Sequence, residues 1–284
     1  MGHREAGPRK YTVAMSLSPV VSSVGWLAVL GALTAYAVAA AWPAASVRRW
    51  PTVVLGLGWL LHGVALTLAL TSAQAGVRFG FAPALSITVW LVLAVHTIES
   101  RLVPLPGVRR VLALTGAGAV LLAAVFPGEL RATTASTWLA VHGILAVGSY
   151  GLFGAAVLHA LLLDASERNL RAKVAAPVSA GGTGMPLLRL ERLTFSFVEA
   201  GFAVLSLSIL IGWFTQMSWQ WNHKTVLALL GWATFATLIA GRLRYGWRGR
   251  KATGWLYAGA GLLLLAYVGS RFVFEVLLHR APTG

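Results

Sequence analysis

Eight uninterrupted apolar runs, each long enough to cross a bilayer as one helix, constrain this chain more than any other feature. They lie at about 20–42, 52–72, 81–98, 108–125, 138–163, 193–215, 224–241 and 253–279. A spanning α-helix needs about 20 apolar residues, and a spanning barrel strand about 10. In hydrocarbon every backbone N–H and C=O has to be satisfied internally, so runs of this length fold as helices. Even the shortest, at 81–98 and 108–125, reach about 27 Å at 1.5 Å per residue. The expected fold is an all-α polytopic integral membrane helix bundle of about eight transmembrane helices. Composition agrees. Of 284 residues 57% are hydrophobic and 11% charged, against roughly 25% charged in a soluble domain. A soluble enzyme, a disordered chain and a coiled coil are excluded.

Lys and Arg number 23 against 8 Asp and Glu, a formal charge of +15. In a soluble protein that excess would suggest nucleic acid. Here it sits in short connectors between apolar runs and is an orientation signal, with no nucleic-acid role. Arg48, Arg49, Arg101, Arg109, Arg110 and the basic residues of 164–192 and 242–251 flank the loops after spans one, three, five and seven. The other side has only Arg4, Arg9, Lys10, Arg78, Arg131, Lys224 and Arg280. The positive-inside rule then places the first set in the cytoplasm and both termini outside. The Arg- and Ala-rich composition suggests a bacterial source, and hence the bacterial inner membrane.

Residues 1–19 form an N-terminal extension whose basic residues lie on the wrong side for that orientation. A start at Met15 removes the conflict; a cleaved signal peptide, with Ala39-Ala40-Ala41 after an apolar run, is a second way to remove it. Spans one to four occupy 20–137, and spans five to eight occupy 138–284 with a long cytoplasmic loop at 164–192. The Leu-rich end of that loop, 186–193, is expected on the membrane surface. No internal repeat is visible. The chain has no cysteine, which excludes disulfides, Cys-ligated metal and covalent haem through a C-x-x-C-H motif.

Ionisable groups at membrane depth are costly unless paired or wet, so each is a functional candidate. Arg271, Glu275 and His279 in span eight are spaced to share one helix face. His142 lies near the outer start of span five, and His223 with Lys224 opens span seven on the same side. A Trp-rich connector precedes them. Two neutral imidazoles with stacked aromatic rings suit a haem iron and its apolar porphyrin. His62 falls midway along span two. His96, His159 and Glu199 lie toward the inner side and form either a satisfied polar cluster or an inner ligand or proton site.

Trp219-Gln220-Trp221-Asn222-His223-Lys224-Thr225, Trp232 and the basic stretch Gly241-Arg242-Leu243-Arg244-Tyr245-Gly246-Trp247-Arg248-Gly249-Arg250 resemble the haem-handling cytochrome c assembly proteins of the CcsA/CcmC type. The likeness is greatest to their YpjD/HemX-like branch. His142-Gly143-Ile144 with Ser149-Tyr150 is similar to the span of that family that opens with His. The resemblance covers roughly 138–279. It implies an external Trp-rich segment that presents non-covalent b-type haem, here Trp219, Trp221 and Asn222, with Lys224 as its basic residue. It also implies His142 and His279 as iron ligands, and His62 as a membrane histidine for haem entry. Apocytochrome or other assembly proteins would be partners. The family's stronger pattern is Trp-Asp-Pro-Lys-Glu; Asn222, His223 and Thr225 depart from it.

No nucleophile–base pair, phosphate loop or carboxylate metal cluster is apparent, so the expected role is haem chaperone or assembly factor rather than bond-making enzyme. Two alternatives stand beside it. One is a solute or ion transporter using His62, His159, Glu199 and the Arg271–Glu275 pair. It is disfavoured by the absent repeat and the scarcity of proline within spans. The other is a non-catalytic membrane partner of assembly proteins, docking through 164–192.

Overall fold

The computed structural model describes residues 23–43, 50–71, 76–99, 108–132, 137–174, 187–215, 221–269 and 272. Its helices are α1 (Ser23–Ala41), α2 (Trp50–Thr71), α3 (Phe81–Glu99), α4 (Val108–Val125), α5 (Thr137–Val174), α6 (Leu187–Thr215), α7 (His223–Tyr245) and α8 (Gly249–Leu264). A π-helical turn, Leu265–Gly269, continues α8. All eight spans, the last taken with its π turn, are long and apolar enough to cross a membrane. The molecule is an all-α membrane bundle, as the apolar runs require.

The stretch 164–192 differs from its expectation. Helix α5 continues to Val174 and α6 begins at Leu187, so helix occupies most of the stretch expected as a loop. The Leu-rich 187–193 is the first two turns of α6, not a separate surface segment. Alternating Leu and Arg suits a helix entering the bilayer, where Arg189 and Arg192 stay exposed while Leu190 is buried. At 38 residues, α5 measures about 57 Å, far more than the roughly 30 Å of hydrocarbon. Its last turns therefore project beyond the membrane.

Two short strands were not foreseen. β1 (Gly76–Phe79) in the α2–α3 connector pairs antiparallel with β2 (Glu129–Ala132) in the α4–α5 connector, with Phe79 opposite Glu129. These two connectors therefore meet at one end of the bundle. That end lies outside by the Lys and Arg count and is called the outer end below.

Buried residues form two cores. The first joins α1, α2, α3 and α4 around Tyr36, Leu55, Leu93 and Leu112. The second joins α5, α6, α7 and α8 around Phe153, Phe195, Phe235 and Leu256, where the Phe153 and Phe235 rings stack at 3.8 Å. Leu158 and Leu162 of α5 also pack on the first core, so α5 links the two. Val24, Leu27 and Leu30 of α1 and Leu114 and Leu121 of α4 face outward. In lipid such residues gain nothing by burial, so close packing of small residues and internal hydrogen bonds hold the helices together.

Both devices are visible. The Tyr36 ring is fully buried between Gly58 of α2 and Gly116 of α4. A Cβ at either glycine would stand 2.8 Å from a ring carbon. Between α2 and α3, Trp59 and Trp90 stack at 5.2 Å. Each indole N–H donates to the other's backbone carbonyl, at 3.1 and 3.0 Å, satisfying a donor that has no water to turn to. At the inner end, Asp164 of α5 accepts from Tyr257 Oη (2.8 Å) and Thr253 Oγ1 (3.2 Å) of α8. Arg242 of α7 pairs with Glu191 of α6 at 2.9 Å and lies over the Phe195 ring.

Candidate functional site

The outer end of the α5–α6 pair holds the candidate site. His142 lies in the second turn of α5 and faces α6. Its Nδ1 donates to the Ser208 carbonyl at 2.8 Å, and Ser208 Oγ donates back to the His142 carbonyl at 3.1 Å. Ser208 Oγ is also 3.2 Å from Nδ1. This doubled contact fixes the ring's tautomer and plane and leaves Nε2 with the lone pair. Histidines that bind metals are held in this way, by a carbonyl or carboxylate on the far nitrogen. The imidazole lies over Gly212, one turn further along α6, where a Cβ would sit 2.9 Å from Cε1. Only glycine lets α5 and α6 approach this closely at His142.

Gly212→Ala is therefore expected to rotate or displace the imidazole while leaving the helices in place. Loss of a supporting contact of this kind lowers affinity at a metal-binding histidine by about 10–100-fold. A haem titration of purified wild-type and variant protein checks it. Equal affinity for the two would show that the His142 geometry does not matter.

Aromatic side chains surround this end of the bundle. Trp213 and Phe214 close α6 with 57% and 82% of their surface exposed, and Trp221 just before α7 is 72% exposed. Asn222 caps α7: its Oδ1 accepts from the Thr225 backbone N–H and from Thr225 Oγ1, both at 3.0 Å. Asn is a favoured N-cap, so the residue that departs from the family's Asp keeps an acceptor there. His223 and Lys224 form the first helical positions of α7, and His223 is exposed. Deeper in α7, Trp232 stacks on Phe202 of α6 and donates to Ser206 Oγ at 2.8 Å. Across the bundle, Phe81 meets Phe126 and Phe272, and Phe79 meets Tyr267 in the π turn. Such turns often mark functional segments, and this one leads toward Arg271, Glu275 and His279. Those three residues and Trp219 lie outside the described residues.

The inner histidines separate into different surroundings. His62 is buried, with Nδ1 3.1 Å from Tyr36 Oη and Nε2 2.8 Å from Ser86 Oγ. Both nitrogens are engaged in either tautomer, which ties α1, α2 and α3 together. His159 of α5 donates from Nδ1 to the Ala155 carbonyl at 2.8 Å, and its Nε2 lies 2.9 Å from Glu99 Oε2 of α3. Glu99 lies at the end of the third apolar run, where a carboxylate looks interfacial rather than buried. Its spacing of three from His96, which puts both on one face of α3, was the available signal. His96 is buried, and its Nδ1 has no hydrogen-bond partner among the described residues. Glu199 joins none of these groups; its side chain is exposed on the outward face of α6.

Fold and site together define a polytopic helical membrane protein with a preset imidazole and exposed aromatic rings at one end. The family model described as cytochrome C assembly protein matches residues 51–278. The chain belongs to the cytochrome c assembly protein family, and it is a multi-pass protein of the bacterial inner membrane. It is similar to the inner membrane protein YpjD of Escherichia coli strain K12, 31% identical over 160 residues, which cover 55% of this chain and 60% of YpjD. It is also similar to the cytochrome c biogenesis protein CcsA of Synechococcus sp. strain CC9311, 27% identical over 218 residues, 63% of this chain and 71% of that one. CcsA of Guillardia theta is 27% identical over 158 residues, 49% of this chain and 52% of that one. The match to YpjD thus spans about three-fifths of that relative's length. No solved structure matches the chain.

Proposed function

We propose that this protein serves cytochrome c biogenesis by holding non-covalent b-type haem at the outer face of the membrane for delivery to a client or partner assembly protein. The observation that carries the reading is the His142 geometry. Nδ1 is committed to the Ser208 carbonyl, and Nε2 is available at the end of the bundle where Trp213, Phe214 and Trp221 are exposed. These residues fit the group: a neutral imidazole for the iron and apolar rings for the porphyrin. Bound haem would be held by the His142 imidazole and the exposed aromatic rings, and would supply a one-electron couple tuned by its surroundings.

The chain's own part is to bind, orient and shelter. Helix α6 holds the His142 ring through Ser208 and Gly212. The start of α7 presents Lys224 beside the positive end of its helix dipole, a setting that favours carboxylates such as haem propionates. His279, on the C-terminal side of the π turn, is the proposed second ligand. Its position in the family resemblance supports that role. His62 is not assigned a ligand role, since Tyr36 and Ser86 occupy both its nitrogens.

The test is an absorption spectrum of the detergent-purified protein from cells supplied with haem precursor, oxidised and then reduced with dithionite. A Soret band with sharp reduced α and β bands is the expected result. A featureless spectrum, with a related assembly protein as positive control, would overturn the reading.

A further inference from the structure

The outward face of α6 carries a carboxyl group where lipid should be. The buried face of this helix, Leu190, Thr194, Phe195, Val198, Leu205 and Ser208, packs into the bundle. Glu199 lies on the opposite side. Its depth can be read from its neighbours. Arg192 is exposed at the inner end, and Trp213, an interfacial residue type, is exposed at the outer end. These two are 21 residues apart, about 32 Å along the helix, matching the roughly 30 Å hydrocarbon layer. Glu199 is seven residues above Arg192, so it sits about 10 Å inside the apolar region. Both side chains tilt toward the helix N-terminus, so the shared tilt leaves their separation along the axis at about 10 Å. Among the described residues no ion pair or hydrogen bond reaches the Glu199 carboxyl.

A carboxyl group at this depth is costly without a partner, and among the described residues none pairs with it. The surrounding surface suits a close neighbour. Ser196, Ala200 and Ala203 are exposed on the same face, and small side chains let another helix backbone approach. A second copy is a poor occupant. A two-fold axis on this face would bring two Glu199 carboxyls toward one another, and like groups oppose each other there. We infer that the Ser196–Glu199–Ala200–Ala203 face of α6 docks a transmembrane helix of a different membrane protein, which presents Lys, Arg or His to Glu199 at that depth. A cationic donor gives a carboxylate its strongest hydrogen bond, and inside the membrane the pair also specifies partner and register. This interface stands independently of the haem reading, since it lies on the far side of α6 from the His142 contact.

The experiment places a photo-crosslinking amino acid at Ala203 of the full chain, in intact membranes of the bacterium that encodes it. One heterologous adduct is expected, with a transmembrane polypeptide whose crosslinked span contains Lys, Arg or His. Its yield is expected to fall at least tenfold in Glu199→Leu and by less in Glu199→Gln. Glu199→Lys combined with a Glu at the partner's basic position is expected to restore it. Crosslinks to lipid alone, an adduct with a second copy, or an unchanged yield in Glu199→Leu would each overturn the inference. The haem spectrum of Glu199→Leu is expected to match wild type. A normal spectrum with no adduct would fail the interface alone, and a featureless spectrum with a strong adduct would fail the haem reading alone.

Discussion

His142→Ala is expected to remove the sharp reduced α and β bands of the haem-loaded protein and to lower its haem affinity on the order of 100-fold. That is the upper end of what loss of a mere supporting contact costs at a metal site, and His142 is the proposed ligand itself. The variant should remain folded. The ring is only half-buried, and Ser208 loses one acceptor contact while its Oγ keeps the backbone carbonyl of residue 142. A His142→Met variant sharpens the test, because a thioether retains axial ligation but shifts the bands and raises the reduction potential. Unaltered spectra in both variants would remove His142 from the site and leave its contact with Ser208 as helix packing. Bands that shift in the Met variant and vanish in the Ala variant would identify the ligand directly.

Gly116→Val is expected to destabilise the bundle by about 1–3 kcal/mol through overpacking. Gly58→Val is expected to do the same. Each new side chain would drive into the Tyr36 ring, which has no free space and is held by its bond to His62. Tyr36 cannot retreat without breaking the chain of contacts from Tyr36 through His62 to Ser86. In lipid this cost is not offset by hydrophobic burial, because van der Waals fit and hydrogen bonds supply the association energy. Thermal unfolding in detergent measures it. Because both glycines touch one ring, the double variant should lose less than the sum of the two singles. Coupling of this kind is expected for residues that share a partner, and additivity for independent sites. Strict additivity would mean that the two helices do not clamp Tyr36 as the structure shows.

The same two sites show what could be read in advance. His142 was legible as a candidate because a polar residue near a span end, beside an aromatic connector, breaks the apolar pattern. Its orientation was not, since Ser208 and Gly212 lie 66 and 70 residues further along the chain. Glu99 and His159, 60 residues apart, form a pair for which neither span alone gives a sign. Asn222 was read as part of a haem-presenting segment, and the structure adds that it caps α7. Glu199 was grouped with His96 and His159 by its position along span six, yet it faces the other way.

Hydropathy alone was enough to specify eight helices and their order, though not how far α5 and α6 run past the apolar stretch at the inner end. Bond satisfaction in hydrocarbon permits nothing else for runs of this length. It was also enough to tell how deep each polar residue lies, because depth follows from counting 1.5 Å per residue along a span. Rotation about each helix axis was decided only by the tertiary structure. In a soluble helix, one polar face reports which side points out. A membrane helix is apolar toward lipid and toward its neighbours alike, so that signal vanishes. Close contacts such as Tyr36 against Gly58 and Gly116, or His142 against Ser208 and Gly212, set the rotation instead. They also determine that His142 faces α6 while Glu199 faces out.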